Sequence, residues 1–186
     1  MNHQESQEQR ACVAWFRLQY PHLANLLTHP ANEGNGNRVS GAIHKAEGTT
    51  PGVPDLLLFL PAIFKDRDES VNVFKESGAE VFIGTSFFEI DHIKTYSTTM
   101  GLGIELKREK GRLSEAQQSF QRLFTAATYT YAVSRSFEQF QKLIQIYIAH
   151  VPDCVMANIA RTASAINVEQ LQRDRQQLQK ILSKKE

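Results

Sequence analysis

Glu105 and Lys107 stand two residues apart in Leu102-Gly103-Ile104-Glu105-Leu106-Lys107, a run that alternates apolar and charged side chains at its end. Period-two alternation belongs to a strand, and it turns Glu105 and Lys107 to one face while Ile104 and Leu106 turn to the other. Upstream, Gly52-Val53-Pro54 introduces Asp55 at the head of the apolar run Leu56-Leu57-Leu58-Phe59-Leu60. If that run is the neighbouring strand, as short-range sheet topology favours, Asp55 brings a second carboxylate to the same face. Two carboxylates with open positions form a hard oxygen site suited to Mg2+ or Mn2+, ions that activate water and stabilise charge on a phosphodiester. Lys107 beside them could orient or deprotonate that water, or stabilise the developing charge. An isolated E-x-K tripeptide is usually just the solvent face of an edge strand. Here its weight comes from the Gly-x-Pro-Asp turn before it and the basic loop after it.

The elements that must hold these residues can be read from periodicity and punctuation. Cys12, Val13, Trp15, Phe16 and Tyr20 recur at helical spacing, which predicts an amphipathic helix from Glu5 to about Tyr20, ended by Pro21. Leu23 to Thr28 is of strand length, and Asn32 to Asn37 has loop composition, with Arg38 just beyond. The run from Asp55 to Leu60 predicts a central strand covered on both faces. Residues 61–100 keep no sustained period and are read as an insertion that packs on the core through Phe82, Phe87 and Phe88. After the Glu105 strand, Ser114-Glu115-Ala116-Gln117 has the form of a capping box ahead of Phe120, Leu123, Phe124 and Ala127. Tyr129 to Ser134 predicts a further strand, and Ser136 to Gln139 repeats the capping pattern before Phe140, Leu143, Ile144, Tyr147 and Ile148. Beyond Pro152 come a short helix, a polar joint near Ser164 and a charged helix from Val168 to about Leu182. The expected organisation is one α/β domain over 1–150 and a helical extension over 151–186.

In that order the motifs resemble the VRR-NUC family, a branch of the PD-(D/E)xK nuclease superfamily. The resemblance rests on Gly52-Val53-Pro54-Asp55, Ile104-Glu105-Leu106-Lys107 and Gly111-Arg112-Leu113-Ser114-Glu115-Ala116-Gln117. It extends over the first helix, Asn32-Glu33-Gly34 with Arg38, and the Tyr129 to Tyr147 strand and helix. It implies an αβββαβ core, with a mixed central sheet flanked by helices, and a metal-dependent endonuclease or exonuclease acting on DNA, often branched, flapped or four-way, in replication, repair or recombination. By resemblance Asp55, Glu105 and the carbonyl of Leu106 are metal ligands, Lys107 is the catalytic lysine, and Gln117 supports the lysine and its water. Gln117 is equally well explained as the third helical residue of the capping box. The family's first-helix acid maps to Glu8, or to Glu5 as the alternative, and the helix dipole accounts for either just as well. Two departures stand out: Asn35-Gly36-Asn37 separates Asn32-Glu33-Gly34 from Arg38, and the connection from Asp55 to Glu105 is longer than the family's usual one.

Composition bounds these expectations. Lys and Arg number 21 against 20 Asp and Glu, a net charge of +1, so any DNA surface must be a local patch. Arg108, Lys110 and Arg112 supply one beside the site, with Arg38 and Lys45 as further candidates. Cys12 and Cys154 lack C-x-x-C spacing and are expected to be reduced core residues, and Pro152 breaks the only plausible zinc-ligand pair, His150 and Cys154. A polar amino terminus and the lack of a run of about 18 apolar residues point to an intracellular protein with no membrane span. Val168, Leu171, Leu178, Ile181 and Leu182 form a stripe that suggests a homodimer. The readings that compete with the nuclease are a catalytically silent DNA-binding module and a restriction or transposon-type endonuclease.

Overall fold

The computed structural model describes residues 3–30, 46, 48–90 and 94–166. Helix α1 (His3–Gln19) stops short of Pro21, as its apolar spacing predicts. The next segment departs from expectation: Pro21–Leu26 winds into a 3-10 turn, leaving only Leu27–Thr28 as strand β1. The cause is Pro21 at the start of the segment, which presets a helical φ and lacks an N–H for sheet pairing. Strand β2 (Leu56–Leu58) is likewise shorter than the apolar run that encodes it, although the Phe59 N–H still bonds the Leu26 carbonyl at 3.0 Å.

Residues 61–100, expected as an insertion, are woven into the fold. They form β3 (Ala62–Phe64), helix α2 (Arg67–Lys75), β4 (Glu80–Phe82), β5 (Ser86–Ile90) and β6 (Lys94–Thr99). Strand β7 (Leu102–Leu106), helix α3 (Glu115–Ala126), strand β8 (Thr130–Ser134) and helix α4 (Phe137–Ala149) follow. The main sheet is ordered β1-β2-β7-β8-β4, with β7 and β8 parallel and every other pair antiparallel, so β4 completes it as an edge strand. Strands β3, β6 and β5 make a second, antiparallel sheet. This segment reads poorly because β3 and β4 have only three residues each and its strands are divided between two sheets. Phe64 and Phe74 are nonetheless fully buried and stack edge-on at 5.6 Å, and Phe82 meets Tyr131 at 6.4 Å. The side chains of Phe87 and Phe88 lie outside the described residues.

The core includes Leu56, Leu58, Ile104 and Ala132, which share one face of the mixed sheet, and Phe16, Phe140, Leu143 and Ile144 on its helices, all essentially inaccessible. The Tyr147 hydroxyl, buried among them, donates to the Leu60 carbonyl at 2.8 Å, as a buried polar group must find a partner. Ser136 caps α4 by accepting from the Gln139 N–H, but the Gln139 side-chain oxygen turns to the Arg135 N–H, so the box expected there is only half formed. Cys12 is buried, and desolvation followed by the Glu8 charge pushes its thiol up to about 12. Cys154 is exposed, against the expectation of a second core cysteine.

The chain divides into two compact units, Met1–Val151 and Pro152–Glu186. In the second, a helix we label α5 (Asp153–Ile166) runs straight through Ser164, whose hydroxyl donates to the Ala160 carbonyl at 2.9 Å. No joint lies at Ser164 itself, since the hydroxyl satisfies itself within the helix, and residues 167 and 168 lie outside the described residues. The stripe from Val168 to Leu182 lies outside the described residues. Among the described residues no single helix is long and apolar enough to cross a membrane.

Candidate functional site

The β2–β7 ladder brings the candidate carboxylates together. Leu56 pairs with Ile104 in antiparallel register, and extending that register by one residue sets Asp55 opposite Glu105. The two side chains then lie on one face of the sheet. Asp55 Oδ2 accepts from the Leu106 N–H at 2.8 Å, which fixes its carboxylate across the end of β7.

Two glycines make this approach possible. Gly103 sits on β7 where a Cβ would lie 2.9 Å from both Pro54 Cγ and Phe124 Cε1, so its bare backbone lets the residue before Asp55 close over the strand. Gly52 has φ +86, and a Cβ there would meet the Ala116 carbonyl oxygen at 2.3 Å. The turn before Asp55 is thus pressed against the first turn of α3, the turn that carries Gln117.

Glu105 is 2% exposed. All five residues of β7 are buried, so the charged face read from its alternation is an interior one. The Gln117 side-chain amide and the Lys107 ammonium both reach Glu105 Oε1, the ammonium at 3.0 Å with Lys107 20% exposed. The Tyr131 hydroxyl makes a long contact of 3.4 Å to Oε2. Burial, then the charge of Asp55, raise the Glu105 pKa to about 7 against the opposing pull of Lys107 and Tyr131. Burial and the same two carboxylates push the Tyr131 phenol well above its ordinary value, which keeps it a donor.

Gln117 forms the cap and reaches Glu105 as well. Its Oε1 accepts from the Ser114 N–H at 2.9 Å and closes the capping box, while its Nε2 donates to Glu105. A primary amide has both functions available at once, so the cap of α3 and the orientation of Glu105 are one structure.

His29, Tyr131 and Arg135 are not legible in the sequence as site residues. His29 Nδ1 lies 2.7 Å from the Asp55 carbonyl oxygen. That oxygen only accepts, so Nδ1 carries the proton and Nε2 is left for another partner. His29, Thr49, Thr50, Gly52, Asp55 and Gln117 line a cleft of about 340 Å³. Arg135 donates to the Gly111 carbonyl at 2.7 Å and pairs with Glu80 at 3.1 Å, tying down the loop that carries Arg108, Lys110 and Arg112. The period of β8 marks Tyr131 as an interior residue but says nothing of its partner. For His29 no spacing signal exists.

Glu8 is half-buried on α1, and its charge acts on Cys12, one turn on. Arg38 and Lys45 lie outside the described residues, as does the side chain of Glu5. Among the described residues no three His, Cys, Asp or Glu side chains cluster as metal ligands. The acidic side chains that the fold brings together are Asp55 and Glu105, and such a pair fits Mg2+, because that ion retains several waters and needs only one or two carboxylates. The electrostatics fit too, since a buried carboxylate facing a second one is an anion pair that a divalent cation relieves.

No protein-family model and no curated protein matches the chain. Among solved structures, one described as a VRR_NUC domain protein superposes with a TM-score of 0.54 at 17% identity, covering 81% of this chain and 93% of that one. At that identity the likeness is one of fold: a mixed central sheet flanked by helices.

Proposed function

We propose that this protein is a metal-dependent DNA nuclease that hydrolyses phosphodiester bonds at the Asp55–Glu105–Lys107 site, with a preference for branched, flapped or four-way DNA. The observation that carries the reading is the convergence of Asp55, Lys107 and Gln117 around the buried carboxylate of Glu105, from three segments of the chain. The order α1, β1, β2, β7, α3, β8 supports assigning the PD-(D/E)xK core, and the fold likeness to a VRR_NUC domain protein points the same way.

Asp55, Glu105 and the Leu106 carbonyl would hold Mg2+ or Mn2+. When bound, the ion supplies charge stabilisation at the phosphodiester and makes water a stronger acid. Lys107 is ion-paired, so it holds the attacking water by donation and balances the charge that develops on the phosphoryl oxygens. Gln117 and Tyr131 fix the two oxygens of Glu105, and His29 holds the Asp55 turn through its carbonyl. Arg108, Lys110 and Arg112 neutralise phosphates next to the cut. The intact set of catalytic side chains argues against a silent binding module. Two copies acting as a homodimer would address two strands of one junction.

The test is cleavage of linear, flapped and four-way DNA with Mg2+, Mn2+ or EDTA. Asp55→Ala, Glu105→Ala and Lys107→Ala should each abolish cleavage in a folded protein, because groups that act as a unit lose function nearly completely on single removal. Asp55→Asn should keep DNA binding, since it removes a negative charge near phosphates. Wild-type cleavage in EDTA, or full activity of Lys107→Ala, would sink the mechanism.

A further inference from the structure

A second cleft, of about 410 Å³, runs along α1 and shares His29 with the first. Its lining from the helix is Ser6, Gln9, Arg10, Val13, Ala14 and Arg17, residues at the offsets of a single helical face. Among the described residues that line it none is acidic, and the helical offsets send Glu8 to the opposite side of α1, toward Cys12. Arg10 and Arg17 are exposed and lie seven residues apart, about two helical turns or roughly 10 Å along the axis. Gln9 lines the cleft beside them. Its side-chain amide can both donate to and accept from an occupant with hydrogen-bonding groups. Where the two clefts meet, the carbonyl of Asp55 takes the Nδ1 proton of His29, which leaves Nε2 for that same occupant.

We propose that the α1 cleft is a track for the phosphodiester backbone of the cleaved strand on one side of the scissile bond, with Arg10 and Arg17 on successive phosphates, Gln9 beneath them and His29 at the bend into the Asp55 cleft. This rests on the nuclease reading and extends it, since it makes α1 a substrate-binding element in addition to a core helix. The net charge of +1 gives the protein no general attraction for DNA, so a local basic path out of the site is what retains the strand. Arg10, Arg17 and Gln9 are positioning residues and touch no reacting atom.

The experiment uses the full chain and a fluorescein-labelled oligonucleotide. Binding is measured in EDTA across a salt series, and cleavage is measured separately with Mg2+. Arg10→Ala with Arg17→Ala should flatten the slope of log K against log salt by about two units, roughly one for each lost phosphate contact. KM should rise on the order of tenfold with the loss falling on KM rather than kcat, and Arg10→Lys with Arg17→Lys should recover most of the slope. Gln9→Leu should weaken binding without changing the slope. A double variant that melts like the wild type and keeps both slope and KM would overturn the track. A wild type that binds but never cuts would sink the nuclease reading alone, because the salt slopes would still decide whether the strand lies on α1.

Discussion

Ionising Glu105 is costly in the metal-free protein, because the residue is 2% exposed and its carboxylate faces Asp55. Its folded-state pKa of about 7 lies above the ordinary 4.5, so between those values the native state holds a proton that the unfolded chain has released. Stability from this group is therefore fully present below about pH 4.5 and lost as pH rises through 7. The expected outcome is that protein kept in EDTA unfolds at lower denaturant at pH 8 than at pH 5, by on the order of 3 kcal/mol from this group. Glu105→Gln should remove most of that pH dependence and, for the same reason, all cleavage. An unchanged pH dependence in Glu105→Gln would mean that Glu105 is already ionised without metal. Gln117 permits a sharper separation, since one side chain serves both cap and site. Ser114→Ala removes only the hydroxyl end of the cap and should cost about 1 kcal/mol of stability with a far smaller loss of rate. Gln117→Ala should lose a similar stability and most of the rate, and equal rates in the two variants would show that the amide's bond to Glu105 is idle. Asp55, Glu105, Lys107 and Gln117 are legible in the sequence because each sits in a short motif with its own physical signature. Tyr131 and His29 are not, because their roles arise from partners 26 residues away in sequence that only the sheet register brings close.

What fixes these residues in place at the level of elements is close backbone approach, and Gly52 and Gly48 separate its two ingredients. Both have positive φ, +86 and +94, but a Cβ at Gly52 would collide with the backbone of Ala116 whereas one at Gly48 meets nothing within 4 Å among the described residues. Gly48→Ala should therefore cost only the left-handed conformation, about 1 to 2 kcal/mol, and leave cleavage intact. Gly52→Ala carries the same cost and must also push the Asp55 turn away from α3, so it should abolish cleavage even where the protein remains folded. Circular dichroism melts alongside cleavage rates would distinguish them, and an active Gly52→Ala would show that the turn has room to move. The same physics explains what a sequence reading recovers of the elements. α1, β7, α3, β8 and α4 each bury a regular face or carry a cap, and the pattern places them within a few residues of their bounds. The three-residue strands β3 and β4 have neither feature. Their identity as sheet depends on pairings such as Glu80 with Val133 that join segments about 50 residues apart, and local propensity carries no trace of these.

For the whole molecule, the question is how a chain with one such site and a net charge of +1 would cut two strands. The first unit, Met1–Val151, holds one Asp55–Glu105 centre, and a single centre cuts two strands only by releasing and rebinding. A two-fold pair of chains presents two centres at once, because a closed isologous interface repeats every site about its axis. The segment best suited to such an interface is the stripe Val168, Leu171, Leu178, Ile181 and Leu182, interrupted by Arg175 and backed by a Gln-rich face. A stripe that narrow is stable as a helix only when something covers it. With α5 continuous through Ser164, a hinge at that residue cannot be what frees the stripe, so the dimer argument rests on the apolar pattern alone. Light scattering at micromolar concentration should return close to twice the 21.1 kDa chain mass, and truncation before Val168 should return the monomer. The truncated protein should still nick a flapped substrate, since its catalytic residues all precede Val151, but should lose paired nicks in a four-way junction. Full-length protein that scatters as a monomer and still nicks both strands together would end the dimer proposal and leave the chemistry at Asp55 and Glu105 untouched.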